Sequence, residues 1–138
     1  DTDSHIDTLA RFCNEDTIAY VKCDNPNDIH FEAFQKMEQE LQKLTDQNEK
    51  PFNLVPLPFP DAIYDEDGQR LPAPYANFLI LNKVVLLAVY EVGQDEKAIA
   101  VMKELFPERE IIPVNSKVLI KQHGSIHCIS MQFPEGVF

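Results

Sequence analysis

The order of predicted secondary-structure elements repeats along the chain, and this repeat constrains the fold more than any other feature. Each unit reads as a β-hairpin, then a helix, then one more strand. The first unit has strands at 7–13 and 17–23, a helix over 29–46 and a strand at 52–57; the second has strands at 76–81 and 84–90, a helix over 95–106 and a strand at 110–114. A hairpin with one helix cannot bury its apolar face alone, so successive units must pack together. The pattern predicts an α/β fold, with residues 126–132 opening a third unit.

The first predicted helix has the clearest periodicity. Asn27 or Asp28 is its expected N-cap, since both side chains accept hydrogen bonds from free backbone amides. Its apolar side chains recur at spacings of three and four residues, at Phe31, Phe34, Met37, Leu41 and Leu44. Such a stripe is typical of a helix packed on a sheet. His30, at the helix start, is expected on the surface.

Two proline-containing stretches depart from regular structure. Pro56 interrupts the strand at 52–57, which favours a position at the edge of a sheet. Residues 58–74 contain four prolines and a turn at 65–68. We expect a long surface excursion there that either walls a pocket or is an inert insertion.

Length and charge exclude several classes of protein. A chain of 138 residues with a formal charge of −11 and a pI near 4.6 lacks the basic clusters that nucleic acid requires. No apolar run approaches the roughly 18 residues of a membrane span, and no signal-peptide pattern is present. We therefore expect neither a nucleic-acid nor a membrane partner. The acidic surface either concentrates a cationic substrate or only maintains solubility. Because the first residue is Asp rather than Met, we also expect a fragment or a trimmed product.

The cysteines predict a reducing environment. Cys13, Cys23 and Cys128 have no CxxC spacing and cannot all pair within the chain. Free thiols and a cytoplasmic location are the default expectation. Cys13 and Cys23, at the ends of the first hairpin, are expected to be small apolar core residues.

Candidate chemistry lies at both ends of the chain. Cys128 stands at the start of a predicted strand, directly after a glycine-bearing turn, where a thiol can be held rigidly and still face a pocket. A basic neighbour would lower the pKa of such a thiol below its free value of about 8.5. His5 and Asp7 are two residues apart on another predicted strand and would share a face. We expect the fold to bring these ends to one pocket.

Three runs carry a family resemblance: HIDTLARF at 5–12, YANFLILN at 75–82 and HGSIHCISMQ at 123–132. In order and spacing they resemble the C-terminal half of agmatine deiminases and bacterial peptidylarginine-deiminase-like enzymes, which belong to the pentein superfamily. One position departs from the family pattern. His123 stands where the first of two glycines usually precedes the His-Cys pair.

The resemblance implies a pentein-type α/β propeller, in which such units surround a pseudo-fivefold axis and the active site occupies the central channel. Residues 1–138 would form the C-terminal portion of one catalytic domain, with two units and the start of a third. In that scheme His5, Asn77 and Cys128 lie near the starts of the first strands of successive units and converge on the axis.

The resemblance also implies the roles of the site residues. Cys128 would be the nucleophile, His5 the acid–base group and Asp7 the carboxylate that binds the guanidinium. Asn77 is expected as a polar group on the substrate side, with a purely structural hydrogen bond left open as an alternative. Gly124 is expected to permit a backbone conformation closed to other residues. No metal or cofactor is implied.

The implied substrate is a small guanidino cation, with agmatine favoured over arginine or peptidyl arginine. A further carboxylate would come from an N-terminal half outside this chain, so the chain alone is expected to be inactive. His127 would point away from Cys128 on a strand and support the loop, and His123 would lie at the pocket rim.

Alternatives from other classes stay open at this stage. The side chains of His5, Asp7, His127 and Cys128 are acceptable zinc ligands, although their spacing matches no zinc motif. A pentein amidinotransferase would keep the Cys and His but transfer the amidino group to an amine. A non-catalytic pentein binding module is the third alternative. The oligomeric state is open, with a homo-oligomer as one option.

Overall fold

Two small β-sheets, each with one α-helix, form the framework of the protein. The computed structural model describes residues 5–137, so residues 1–4 and 138 of the predicted domain lie outside the described residues. The first sheet contains β1 (Ala10–Phe12), β2 (Thr17–Lys22) and β3 (Asn53–Pro58), and the second contains β4 (Leu79–Ile80), β5 (Val84–Val89) and β6 (Glu110–Asn115). Helix α1 (Phe31–Leu41) connects β2 to β3, and helix α2 (Asp95–Leu105) connects β5 to β6. Among these residues, no helix has both the length and the apolar character needed to cross a bilayer.

Both sheets have the same connectivity. β1 pairs antiparallel with β2, and β4 pairs antiparallel with β5. β3 then joins β2 in parallel, as β6 joins β5. Parallel neighbours need a long crossover connection, and α1 and α2 supply it. The two predicted hairpin-helix-strand units are therefore confirmed.

A proline occupies the same place in the outer strand of each sheet. Pro56 of β3 lies opposite Tyr20, and Pro113 of β6 lies opposite Leu87. Proline cannot donate a ladder hydrogen bond and is tolerated at sheet edges. β3 and β6 are the last strands of their sheets, so the edge position predicted for Pro56 is confirmed.

One apolar core joins the two units. Its fully buried side chains come from both sheets and from α2, and include Val21, Leu57, Val85, Leu87 and Met102. Burying a side chain of this size contributes roughly 1.5–3 kcal/mol. Cys23 lies in this core and Cys13 packs against it, as predicted for both. The shared core fixes the two sheets relative to each other, and with them the loops that carry the candidate site.

Helix α1 is shorter than its apolar stripe predicts. It begins at Phe31 and ends at Leu41, whereas the sequence predicts a helix over 29–46. The amide of Leu44 already bonds Leu41 three residues back, and Leu44 is 46% exposed. Beyond it, Asp46 accepts backbone hydrogen bonds from Asn48 and Lys50, which closes a turn. This local side-chain capping competes with the helix and ends it early.

The excursion at 58–74 walls a pocket of about 380 Å³. In the C-terminal half of this excursion, Leu71 and Ala73 are buried, so the segment does not lie on the surface throughout. His30, which is expected on the surface, is half-buried. Its ring stacks on Phe34 at 5.6 Å and meets the edge of Phe59 at 5.8 Å. Burial in this apolar setting, together with a nearby arginine, lowers the pKa of His30.

The predicted third strand is absent from the described residues. Residues 126–129 form a turn, in which the amide of Ile129 bonds the carbonyl of Ser125 at 3.3 Å. Ser130 bonds the carbonyl of His127 through its amide at 3.0 Å and through its hydroxyl at 2.8 Å. The backbone groups of a strand must pair with those of a neighbouring strand. Here local hydrogen bonds satisfy some of these groups instead.

Candidate active site

Asp7 lies on a short 3-10 helix (Ile6–Thr8) directly before β1, not on a strand as predicted. The carbonyl of His5 accepts hydrogen bonds from the Thr8 hydroxyl at 2.8 Å and from the Thr8 amide at 3.4 Å. Thr8 is buried, which fixes this turn against the protein. Because the segment turns, His5 and Asp7 do not follow the shared-face rule of a strand.

Asn77 lies in the buried segment that leads into β4, and its side chain is 0% exposed. Its Oδ1 accepts hydrogen bonds from the amides of His127 at 3.0 Å and Cys128 at 3.4 Å. Its Nδ2 donates to Asp7 Oδ2 at 3.0 Å and contacts Cys128 Sγ at 3.3 Å. One side chain thus connects the three sequence runs that carry the family resemblance.

Cys128 lies on the turn at 126–129 rather than at the start of a strand. The residue is exposed, so its sulfur is open to a reactant. Sγ lies 3.8 Å from Asp7 Oδ2, across 121 positions of sequence. The expected meeting of the two chain ends is therefore found for Cys128 and Asp7.

The loop before Cys128 uses its glycine differently from the prediction. The left-handed conformation belongs to His123, with φ of 64°, whereas Gly124 has no positive φ. A Cβ on Gly124 would lie 3.1 Å from Cys128 Cβ and 3.6 Å from Sγ. A side chain at position 124 would therefore crowd Cys128, and the prediction based on the backbone freedom of Gly124 is wrong.

His127 points toward the site, contrary to the prediction that it faces away from Cys128. Its Nδ1 lies 2.6 Å from Asp7 Oδ2, and both side chains are partly buried. Adjacent residues diverge on a strand, but a turn imposes no such alternation. Sequence reasoning missed this contact because it assumed a strand at 126–132.

Asp7 is held in its ionised form. Burial raises the pKa of its carboxyl, but a hydrogen bond and charge from His127, the charge of Arg11 and a hydrogen bond from Asn77 outweigh this and lower the pKa below 3.8. A carboxylate at neutral pH can bind a cationic group. This one lies next to the sulfur of Cys128.

Arg11 is a further charged residue at the site, and sequence reasoning did not single it out. Its guanidinium donates to the carbonyl of Phe78 at 2.9 Å and lies over the Phe78 ring at 5.1 Å. It is the one arginine or lysine in the run at 5–12, and this could have marked it as a partner of Asp7. Its positive charge helps to keep Asp7 ionised.

His5 lies on the wall of the pocket at 58–74. The same wall contains Thr8, His30 and Arg70. Among the described residues, the lining of this pocket includes neither Asp7 nor Cys128. The structure thus brings Asp7, Asn77, His127 and Cys128 together, and places His5 on the wall of the pocket at 58–74. Its role as the acid–base group stays a prediction.

The zinc alternative gains no support from the geometry. Within residues 5–137, no group of three or more His, Cys, Asp or Glu side chains is arranged to hold a metal ion. Cys13 is not a candidate nucleophile, because burial raises the pKa of its thiol to about 11. A thiol of that kind is protonated at neutral pH and a poor nucleophile.

Comparison with known proteins gives matches over nearly the whole chain. A family model described as Porphyromonas-type peptidyl-arginine deiminase matches residues 1–134. The chain is 50% identical to a candidate arginine deiminase from Porphyromonas gingivalis, whose structure superposes with a TM-score of 0.95 over 98% of this chain and 40% of that one. A Cys-to-Ser variant of C. jejuni agmatine deiminase with substrate bound is 39% identical, with a TM-score of 0.84 over 92% of this chain and 36% of that one.

The curated relatives agree. A candidate agmatine deiminase from Marinomonas sp. strain MWYL1 is 27% identical over 98% of this chain and 41% of its own length. The chain thus spans about two fifths of the length of the relatives it matches. A family model that covers almost the whole chain, and three motif runs that meet at one thiol, place it plainly: the chain belongs to the Porphyromonas-type peptidyl-arginine deiminase family.

Proposed function

We propose that this chain carries the nucleophile of a guanidino-group deiminase, and that the substrate is agmatine, converted to N-carbamoylputrescine and ammonia. The observation that carries the proposal is the position of the exposed Cys128 sulfur 3.8 Å from the ionised carboxylate of Asp7. Agmatine is favoured because proteins similar to this chain include a substrate-bound agmatine deiminase and a candidate agmatine deiminase.

The reaction needs a strong nucleophile because the guanidinium carbon shares its charge over three nitrogens and is a weak electrophile. The Cys128 thiolate attacks this carbon and forms a carbon–sulfur bond in a tetrahedral adduct. An imidazole donates a proton to one nitrogen, which leaves as ammonia and gives a thiouronium intermediate. Water then attacks the same carbon and loses a proton to the imidazole. The carbon–sulfur bond then breaks while the new hydroxyl group gives its proton to solvent, which releases the ureido product and restores the thiolate.

Asp7 would bind the substrate before attack. A carboxylate accepts two N–H bonds from a planar guanidinium, and this orients its carbon toward the sulfur. Oδ2 already contacts His127 and Asn77. The other oxygen, Oδ1, is therefore the atom we expect the guanidinium to engage first.

We assign the proton transfers to His5, in keeping with the resemblance of residues 5–12. His127 is the second imidazole at the site and contacts Asp7 directly, so its removal is the natural comparison. In the complete protein, His5→Gln should lower kcat far more than His127→Gln. The reverse order would assign the acid–base role to His127.

The complete enzyme would be a pentein propeller to which this chain contributes two units. This chain spans about two fifths of its relatives. The remaining part would close the central channel and add a further carboxylate that contacts the guanidinium. On this basis we expect little ammonia release from the 138-residue chain alone.

The test is ammonia release by the complete protein from agmatine, arginine and a peptidyl arginine, each measured beside a Cys128→Ser variant. We expect turnover of agmatine first and its loss in Cys128→Ser. Cys13→Ser is the matched control, since that thiol is protonated at neutral pH and should be dispensable. Preference for peptidyl arginine, or transfer of the amidino group to an added amine, would replace the proposed substrate or reaction. Undiminished ammonia release by Cys128→Ser would overturn the proposal.

A further inference from the structure

We propose that Asn77 is a positioning residue, whose carboxamide holds the Cys128 sulfur and the Asp7 carboxylate side by side so that both can act on one guanidinium. The proposal rests on the proposed function for the roles of Cys128 and Asp7. Of the two sequence-based alternatives for Asn77, a polar group on the substrate side and a structural hydrogen bond, it adopts the second. The carboxamide is 0% exposed, so it acts through its neighbours.

The hydrogen-bond partners fix the orientation of this carboxamide. Oδ1 faces two backbone N–H donors, those of His127 at 3.0 Å and Cys128 at 3.4 Å. Nδ2 faces the Asp7 carboxylate at 3.0 Å. When ionised, a carboxylate accepts hydrogen bonds and cannot donate one. Exchanging the two atoms would set an amide nitrogen against two donors and an oxygen against a carboxylate. The orientation is therefore determined by chemistry as well as by position.

The Nδ2 group is suited to lie between two anions. Its two hydrogens can serve two acceptors, and it lies 3.0 Å from Asp7 Oδ2 and 3.3 Å from Cys128 Sγ. Those two atoms are themselves 3.8 Å apart. A carboxylate that close disfavours the thiolate, whereas a hydrogen bond donated to the sulfur favours it. The hydrogen bond from Asn77 therefore offsets the destabilisation of the thiolate by the Asp7 carboxylate, which the substrate needs for binding.

The same side chain also sets where the sulfur lies. By accepting from two successive amides, Oδ1 anchors the turn at 126–129 to the segment before β4. By donating to Asp7, Nδ2 anchors the 3-10 helix before β1. Asparagine has the length and the one-acceptor, two-donor set that this position uses. Aspartate keeps the shape but replaces the donor with a third anion.

The experiment measures alkylation of Cys128 by iodoacetamide as a function of pH, resolved by peptide mass spectrometry so that Cys13 and Cys23 are counted separately. In Asn77→Asp, we expect the midpoint of the Cys128 profile to move up by about one unit or more, because a like charge replaces a donor. Alkylation near neutral pH should then fall roughly tenfold. Asn77→Ser, which is uncharged and too short to reach both partners, should move the midpoint in the same direction by less.

A matched control separates positioning from general loosening of the fold. Val85 is fully buried in β5, and Val85→Ala removes core packing without touching the site. It should lower stability and leave the Cys128 midpoint in place. If Asn77→Asp does not fold, Asn77→Ser alone decides the question. A folded Asn77 variant whose Cys128 midpoint matches that of the unmodified protein would overturn the inference.

This measurement uses no substrate, so its outcome is independent of turnover. An unshifted midpoint in an enzyme that still releases ammonia from agmatine would remove the role of Asn77 and leave the proposed function intact. A shifted midpoint in a protein that releases no ammonia from any guanidino compound would support the positioning role and contradict the proposed function.

Discussion

His123 adopts a left-handed backbone conformation, with φ of 64°, at the end of the 3-10 helix Leu119–Gln122. A non-glycine residue in that region is uncommon and strained. The family resemblance implies glycine at this position, and the left-handed conformation gives a physical reason for it. Position 123, rather than 124, is where the loop needs backbone freedom.

Replacing His123 with glycine should therefore stabilise the protein. Relief of the left-handed strain is worth about 1–2 kcal/mol, and the greater flexibility of glycine in the unfolded chain takes back part of it. We expect a net gain of about 0.5–1 kcal/mol in the free energy of unfolding, measured by urea denaturation. Gln122→Gly is the matched control at a right-handed position and should destabilise. Equal losses for both variants would show that the His123 side chain contributes more than its backbone costs.

Asp7 should make stability depend on pH at the acid end. Its carboxyl has a folded-state pKa below its ordinary value of 3.8, so the folded form binds protons less readily than the unfolded form. The stabilisation is fully present above that ordinary value and is lost as the pH falls through the lowered one. The difference in stability between the protein and Asp7→Asn should stay constant from neutral pH to about pH 5 and shrink below about pH 4. A difference that stays constant down to about pH 2.5 would show that the Asp7 contacts do not favour its ionised form.

Asp95, the first residue of α2, organises the end of the second hairpin. Its carboxylate accepts backbone hydrogen bonds from Tyr90, Glu91 and Val92. It also accepts from the Tyr75 hydroxyl at 2.6 Å. Burial and this contact raise the pKa of Tyr75, which keeps the hydroxyl protonated as a donor. A carboxylate at the start of a helix is further favoured by the helix dipole.

Asp95→Asn should accordingly destabilise the protein by about 1–3 kcal/mol, because an amide nitrogen then faces donors that have lost their acceptor. Thermal or urea unfolding measures the change. Glu96→Gln, an exposed acidic residue one position later, should change stability by less than about 0.5 kcal/mol. Similar effects of the two substitutions would mean that net charge, and not the hydrogen-bond cluster, is what matters at this helix start.

Periodicity predicted the elements whose apolar faces are buried and failed where local hydrogen bonds decide. Both helices, both hairpins and the two edge strands follow from spacing and turn residues. The end of α1 does not, because Asp46 closes a turn that the apolar stripe cannot indicate. The stretch at 126–132 alternates like a strand, but local hydrogen bonds from backbone amides to the carbonyls of Ser125 and His127 fold part of it into a turn. The prediction for the orientation of His127 was wrong because it depended on that strand.

At the scale of the molecule, the repeat explains why the candidate site holds together. Neither unit can bury its sheet and helix alone, and one core spans both. That core carries the loops of Asp7 and Asn77, to which the turn of Cys128 is bonded. Sequence order and resemblance indicated which runs would meet, but not which atoms would touch. Asn77 as the centre, and Arg11 beside Asp7, depend on side-chain geometry that no spacing encodes. The propeller arrangement of further units stays a prediction.

The central claim is that the Cys128 sulfur attacks a guanidinium carbon, and trapping the intermediate tests it most directly. The complete protein would be mixed with agmatine, quenched with acid within one turnover and digested for peptide mass spectrometry. The account predicts that the peptide containing Cys128 gains the mass of agmatine less one ammonia, and that Cys13 and Cys23 stay unmodified. Steady ammonia release with no such adduct on Cys128, or with the adduct on another residue, would contradict it.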